Sequence, residues 1–150
     1  MKVSFIFPIM ISVLVGALCG KFVYWQYQNQ EMVLSENEKI YFFQQGVYTI
    51  EEVKDENILK LPCSLTIFEN DKHYVYVAIT NDEENKEKIR KLFQDLGINL
   101  YQKEIEVTNL EFLSNLEQYD ILLKNAVTND EIISVLKVIL ASYEESVLMR

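Results

Sequence analysis

The chain has 150 residues, of which 49% are hydrophobic and 25% charged, and a formal net charge of −9, so it has room for one ordinary globular domain and an accessory element. The charge is unevenly placed: residues 3–20, VSFIFPIMISVLVGALCG, carry none, and every acidic residue lies beyond position 30. Beyond Tyr27 there are 12 basic and 23 acidic residues, a balance that argues against nucleic acid or an anionic membrane surface as a partner.

The uncharged run from Val3, continued past Lys21 by FVYW, supplies roughly the 20 residues that an α-helix needs to cross a bilayer. Lys21 is placed to reach the headgroups, and Tyr24, Trp25 and Tyr27 suit the interface. An uncleaved signal anchor over residues 1–27 is the expectation, with lipid contact through residues 3–25. A cleaved signal peptide, a lipoprotein and a buried core helix are the alternatives; Ala17 and Cys19 could serve a cleavage site but make no clean A-x-A and the apolar segment continues past them, and Leu18 is a poor residue before a lipidated cysteine. Lys2 and the α-amino group against Lys21 favour a cytoplasmic N-terminus and an extracytoplasmic domain. Residues 28–38 read as a short polar stalk, and Cys19 and Cys63 do not suggest a disulfide.

From residue 39 strands and helices alternate. KIYFFQQGVY (39–48) reads as an aromatic strand, and Thr49 with Glu52 spells a capping box for a helix over about 50–60, ended by Pro62. CSLTIFE (63–69) and YVYVAIT (74–80) read as strands joined by the turn NDKH. Thr80 with Glu83 repeats the capping spelling before a helix whose Ile89, Leu92, Phe93 and Leu96 share one face, and Gly97 stands where a C-terminal glycine belongs. INLYQKEIEV (98–107) is a fourth strand. Thr108 with Glu111 and Thr128 with Glu131 open two more helices, about 109–125 and 129–147, the second with an apolar stripe at Ile132, Leu136, Ile139 and Tyr143. Ser35 with Glu38 has the same spelling ahead of a strand, so the signature is not specific.

Sliding the chain by 32 residues lays FFQQGVYTIEE over YVYVAITNDEE, each a strand running into an acidic helix start. A β-α-β unit used twice predicts an α+β, ferredoxin-like βαββαβ domain over 39–107, with an antiparallel sheet, helices on one face and the other face open. Residues 108–150 then form a C-terminal helical extension. Strict alternation places Val75, Val77 and Ile79 beneath the helices with Phe43, Gln45 and Val47, and sets Phe42, Gln44, Tyr74 and Tyr76 on the open face. Aromatic rings beside an amide suit a carbohydrate; strand aromatics also occur as plain core, and the last two helices could fold back over them. An inward Gln45 needs buried partners or a place at the sheet edge.

Catalytic constellations are absent from the pattern. His73 is the single histidine and falls in a turn, there is no Cys/His cluster for a metal, and the four glycines are too dispersed for a phosphate loop. Glu51/Glu52 and Glu83/Glu84 fit the positive ends of helices better than hydrolase carboxylates. The expectation is a noncatalytic protein without a cofactor.

The strand FFQQGVY, the pair ending YVYVAIT, the helix ending LGI and the strand NLYQKE, behind an apolar N-terminal segment, together resemble a SPOR domain, the peptidoglycan-binding module of bacterial division and sporulation proteins. Phe43, Gln44, Gln45, Gly46 and Tyr48 occupy the end of the family's first-strand pattern. In its later strand pattern Tyr74 stands for an arginine, Ala78 for a glycine, Ile79 for a proline and Thr80 for an aromatic residue. The resemblance spans about residues 39–105 and implies noncatalytic binding of glycan strands on the open sheet face at a cell-membrane location, with Gln44 at the family's outward glutamine. Phe42, Gln44, Tyr74 and Tyr76 are the expected glycan-binding residues. The alternative is an ectodomain that keeps the fold and binds another membrane or cell-wall protein.

Overall fold

A computed structural model of the chain describes residues 38–149. The expected anchor and nearly all of the stalk lie outside the described residues; among those described, no helix is long and apolar enough to cross a membrane. The elements run β1 (Glu38–Tyr48), α1 (Glu51–Ile58), β2 (Leu65–Glu69), β3 (Lys72–Thr80), α2 (Glu83–Asp95), β4 (Tyr101–Val107), α3 (Leu110–Asn125) and α4 (Asn129–Tyr143), closed by a π-helical turn (Glu144–Leu148). The fold is α+β. Its four strands are ordered β2-β3-β1-β4, with every neighbouring pair antiparallel.

Local chemistry explains most of the boundaries. β2 and β3 meet at Asn70 and Asp71, whose φ values of 52° and 60° are those of a two-residue hairpin turn that side chains of this type tolerate. α2 ends at Gly97, with φ of 71°, where the Ile98 amide donates to the Phe93 carbonyl at 2.9 Å and the Gly97 amide to that of Gln94 at 3.0 Å. This is the Schellman closure expected of a glycine one position past a helix.

Of the four expected capping boxes only Thr128–Glu131 forms. α1 starts after Ile50 with no side-chain cap. Asp82, two residues beyond Thr80, caps α2 by accepting from the amides of Glu84 and Asn85 at 2.9 and 3.0 Å. Asn109 rather than Thr108 caps α3 through the Phe112 amide at 2.9 Å. Aspartate and asparagine are as good at this position as serine or threonine, so the box spelling misses the true cap by one or two residues.

The expected open sheet face is covered. α2 lies over the face carrying Tyr41 and Phe43: Lys86 Nζ sits 3.8 Å from the Tyr41 ring centre, the Tyr41 hydroxyl donates to Glu83 at 3.0 Å, and Arg90 bonds Gln102. The α3–α4 hairpin closes the opposite face, where Tyr143 meets Phe42 and Phe112 in edge-on contacts at 5.1 Å. Residues 75–80 of β3 are consequently all buried. All four residues of the expected α4 stripe, Ile132, Leu136, Ile139 and Tyr143, are core.

Strict alternation fails in the middle of the sheet. Phe42 pairs with Ile79 and Phe43 with Ala78, but Gln44 pairs with Tyr76 and Gly46 with Val75, so Val77 and Gln45 each drop out of the ladder. Cross-strand partners share a face, so the Phe42 face carries Ile79, expected on the other side. Gln45, expected to point inward, is half-buried, and its Oε1 accepts the Tyr48 hydroxyl at 2.7 Å. The Tyr48 ring lies so close over Gly46 that a methyl group there would stand 2.8 Å from the hydroxyl oxygen. The QQGVY stretch is thus a bulge with its own local bond, and it leaves no amide stranded at Gln45.

Candidate functional site

The structure brings Phe42, Gln44 and Tyr76 together, as the sequence pattern expects. Phe42 and Tyr76 meet edge-on at 5.4 Å, and Gln44 is the cross-strand partner of Tyr76 on one side and of Tyr101 on the other. The cluster faces protein instead of solvent. Phe42 is 0%, Gln44 6% and Tyr76 6% exposed; Tyr143 closes over the Phe42 ring and Phe112 packs in turn on Tyr143. Burial raises the phenols of Tyr76 and Tyr143 above the ordinary value. Gln44 Oε1 is buried and accepts no hydrogen bond among the described residues. A sugar ring has no route to these three side chains while the hairpin is in place.

Tyr74 is the fourth expected residue and lies apart from this core. It is half-buried, with Lys103 Nζ 5.2 Å from its ring centre, and its strand partners are Val47 and Ile67. Tyr101, 64% exposed, and Lys103 continue this uncovered end of the sheet on β4. Tyr101 carries a signal that strand alternation alone could have found: it falls on the first position of the strand after Gly97, opposite Gln44.

The hairpin that closes the face is fastened by polar bonds at the far end of β3. Asp120 of α3 is buried, and its Oδ1 accepts the Thr80 hydroxyl. Its Oδ2 accepts the Asn81 amide at 2.9 Å, while Asn85 Nδ2 donates to the Asp120 carbonyl at 2.9 Å and to Oδ1 at 3.1 Å. Burial pushes the Asp120 carboxyl above its usual range against the pull of these three donors. Lys88 of α2 caps the end of α3, donating to the carbonyls of Leu123, Lys124 and Ala126 at 2.9, 2.7 and 2.9 Å. Lys124 answers with ion pairs at 3.2 Å to Asp82 and to Glu84. Asn109 Nδ2 donates to the Ser146 carbonyl at 2.8 Å and ties the two ends of the hairpin together.

Among the described residues no group of three His, Cys, Asp or Glu side chains could hold a metal. His73, expected in a turn, belongs to β3, with its ring tilted against Phe68 at 4.7 Å. Cys63 is buried, donates to the Val77 carbonyl at 3.2 Å, and has its thiol pushed up to about 12, so it is held as the unreactive thiol. No family model, curated protein or solved structure matches the chain.

Proposed function

We propose that this chain is a noncatalytic interaction domain, tethered to the cell membrane through residues 3–25 and displayed outside the cytoplasm, whose ligand is another membrane or cell-wall protein. The observation that carries this reading is the closure of Tyr143, itself backed by Phe112, over Phe42, with Gln44 and Tyr76 buried in the same core. The glycan binding implied by the SPOR resemblance needs those side chains in contact with solvent. The acidic surface also disfavours polyanionic wall polymers. The strand order β2-β3-β1-β4 supports a ferredoxin-like reading of residues 39–107, with α3 and α4 filling the face that such a sheet otherwise leaves open.

The test uses the full chain. Sedimentation with purified peptidoglycan, before and after amidase removal of stem peptides, is expected to leave the protein in the supernatant. Photo-crosslinking residues placed singly at Leu59, Tyr101 and Leu122, all exposed, are expected to give a discrete protein adduct in intact cells from at least one position. Retention on denuded glycan that is lost in Gln44→Ala, with no adduct from any position, overturns the reading.

A further inference from the structure

β4 is the longer of the two edge strands in the described sheet. All seven of its residues pair with β1 in unbroken register, from Glu38 opposite Val107 to Gln44 opposite Tyr101. Among the described residues the opposite side of β4 has no strand beside it, since β4 ends the order β2-β3-β1-β4. Sheet edges are ordinarily guarded by a proline, a bulge, a short length, charged side chains or a covering helix, because unpaired amides and carbonyls are a template for another strand; of these β4 has only the charges of Lys103, Glu104 and Glu106, which deter strands of the wrong charge rather than all strands. β4 has no proline or glycine in YQKEIEV and no bulge, and four of its seven residues, Tyr101, Lys103, Glu104 and Glu106, are exposed. The other edge strand, β2, has five residues and pairs with only the first half of β3.

The charges on β4 select what can add there. Glu104 and Glu106 stand on one face, two residues apart, and neither is in an ion pair among the described residues; Tyr101, Lys103 and Ile105 stand on the other. A second copy is a poor fit in the two-fold registers that use most of the strand. A two-fold antiparallel pairing centred on Glu104 sets that glutamate against itself, one centred on Ile105 sets Glu104 against Glu106, and one centred on Lys103 sets lysine against lysine. The excess of 23 acidic over 12 basic residues beyond Tyr27 adds general repulsion between copies.

We infer that β4 is a docking edge for an extended segment of a partner protein, added as a fifth strand, with basic residues at alternate positions opposite Glu104 and Glu106 and apolar residues toward Tyr101 and Ile105. Backbone pairing supplies the affinity, and the alternating charge supplies the choice of segment. This assignment rests on the protein-ligand reading above and names the surface through which it acts.

The probe is an end-blocked octapeptide of alternating lysine and valine, added to the full chain in detergent micelles and followed by hydrogen–deuterium exchange. Exchange across 101–107 is expected to slow several-fold. A peptide of the same charge with prolines replacing the valines should leave it unchanged, since proline lacks the amide that pairs. The double variant E104K/E106K should lose the response to the lysine peptide and gain one to a glutamate–valine octapeptide. Equal effects of the proline and valine peptides, protection confined to segments other than β4, no protection anywhere, or an unchanged preference in the double variant each overturn the edge assignment. A cellular adduct from Leu122 alongside a silent β4 would leave the protein-ligand reading standing and remove only the edge.

Discussion

Thr80, the last residue of β3, gives its hydroxyl proton to Asp120, forty residues away in α3, and in turn accepts the Asp82 amide at 3.1 Å. One hydroxyl therefore joins the end of the sheet, the start of α2 and the helical hairpin. This makes α3–α4 an integral layer of the domain rather than an appendage.

Asp120→Ala strips the acceptor from the Thr80 hydroxyl and the Asn81 amide at once, and leaves the Asn85 side chain only the backbone carbonyl of residue 120. Leaving buried donors unpaired costs about 1–3 kcal/mol each at most, and partial access of water reduces the sum, so a loss of about 3 kcal/mol is expected. Urea denaturation checks it; a change under 1 kcal/mol would show that the junction is not structural.

The same carboxylate sets a pH dependence. Burial raises its pKa in the folded protein, so the native state holds the proton to higher pH than the unfolded chain does. Its contribution to stability is fully present below the unfolded value of about 3.9 and is lost as pH rises through the raised folded value. Asp120→Asn should flatten this part of the profile. The lowered Asp82 carboxyl, held down first by the Asn85 amide and then by Lys124, works with the opposite sign, and its contribution fades as pH falls. Urea midpoints measured from pH 3 to 7 for wild type and Asp120→Asn separate the two.

Phe112 is fully buried against Tyr143, which itself covers Phe42. Phe112→Ala is expected to destabilise by about 3–5 kcal/mol through lost burial and the cavity left behind. Loosening of the hairpin should also increase the binding of a hydrophobic dye. Wild-type stability and dye response in this variant would mean that the face is not closed as described.

Lys88 serves α3 as a cap borrowed from another helix. Lys88→Met keeps the stem and removes the three donors to Leu123, Lys124 and Ala126. A loss of about 1–2 kcal/mol is expected, with hydrogen exchange speeding up first at the end of α3. Uniform acceleration over the domain would argue against a local cap.

Gly97 holds a φ of 71° with open space where a side chain would go. Gly97→Ala should therefore cost only the backbone strain, about 1 kcal/mol, without disturbing packing. Thermal unfolding of the two proteins measures it, and a larger loss would imply a contact at that position.

The order of strands and helices was legible because each element carries its own period: β-branched alternation in 74–80, the i, i+3, i+4 spacing of Ile89, Leu92 and Phe93, and the stripe from Ile132 to Tyr143 that the core takes up. What covers the sheet was not legible. Phe42 and Tyr76 look alike as a carbohydrate platform and as half of an aromatic core, and the other half, Phe112 and Tyr143, lies 36 or more residues further along the chain. The carboxylate that anchors the lid, Asp120, reads on its helix as one more surface acid. Only the tertiary partner Thr80 distinguishes it, and the spelling of that threonine with Glu83 reads as a helix cap.

The two interruptions between β1 and β3 cancel. Tyr41 faces Thr80 above them and Val47 faces Tyr74 below, six residues on in both strands. An insertion or deletion confined to one strand would therefore slide everything past it by one position, turning Val47 or Tyr74 to the wrong side, whereas a matched change in both would be absorbed. In related chains, length changes near Gln45 and Val77 should arise as pairs, and an alignment that gaps one strand alone will misassign the pairing of every residue from there to the turn.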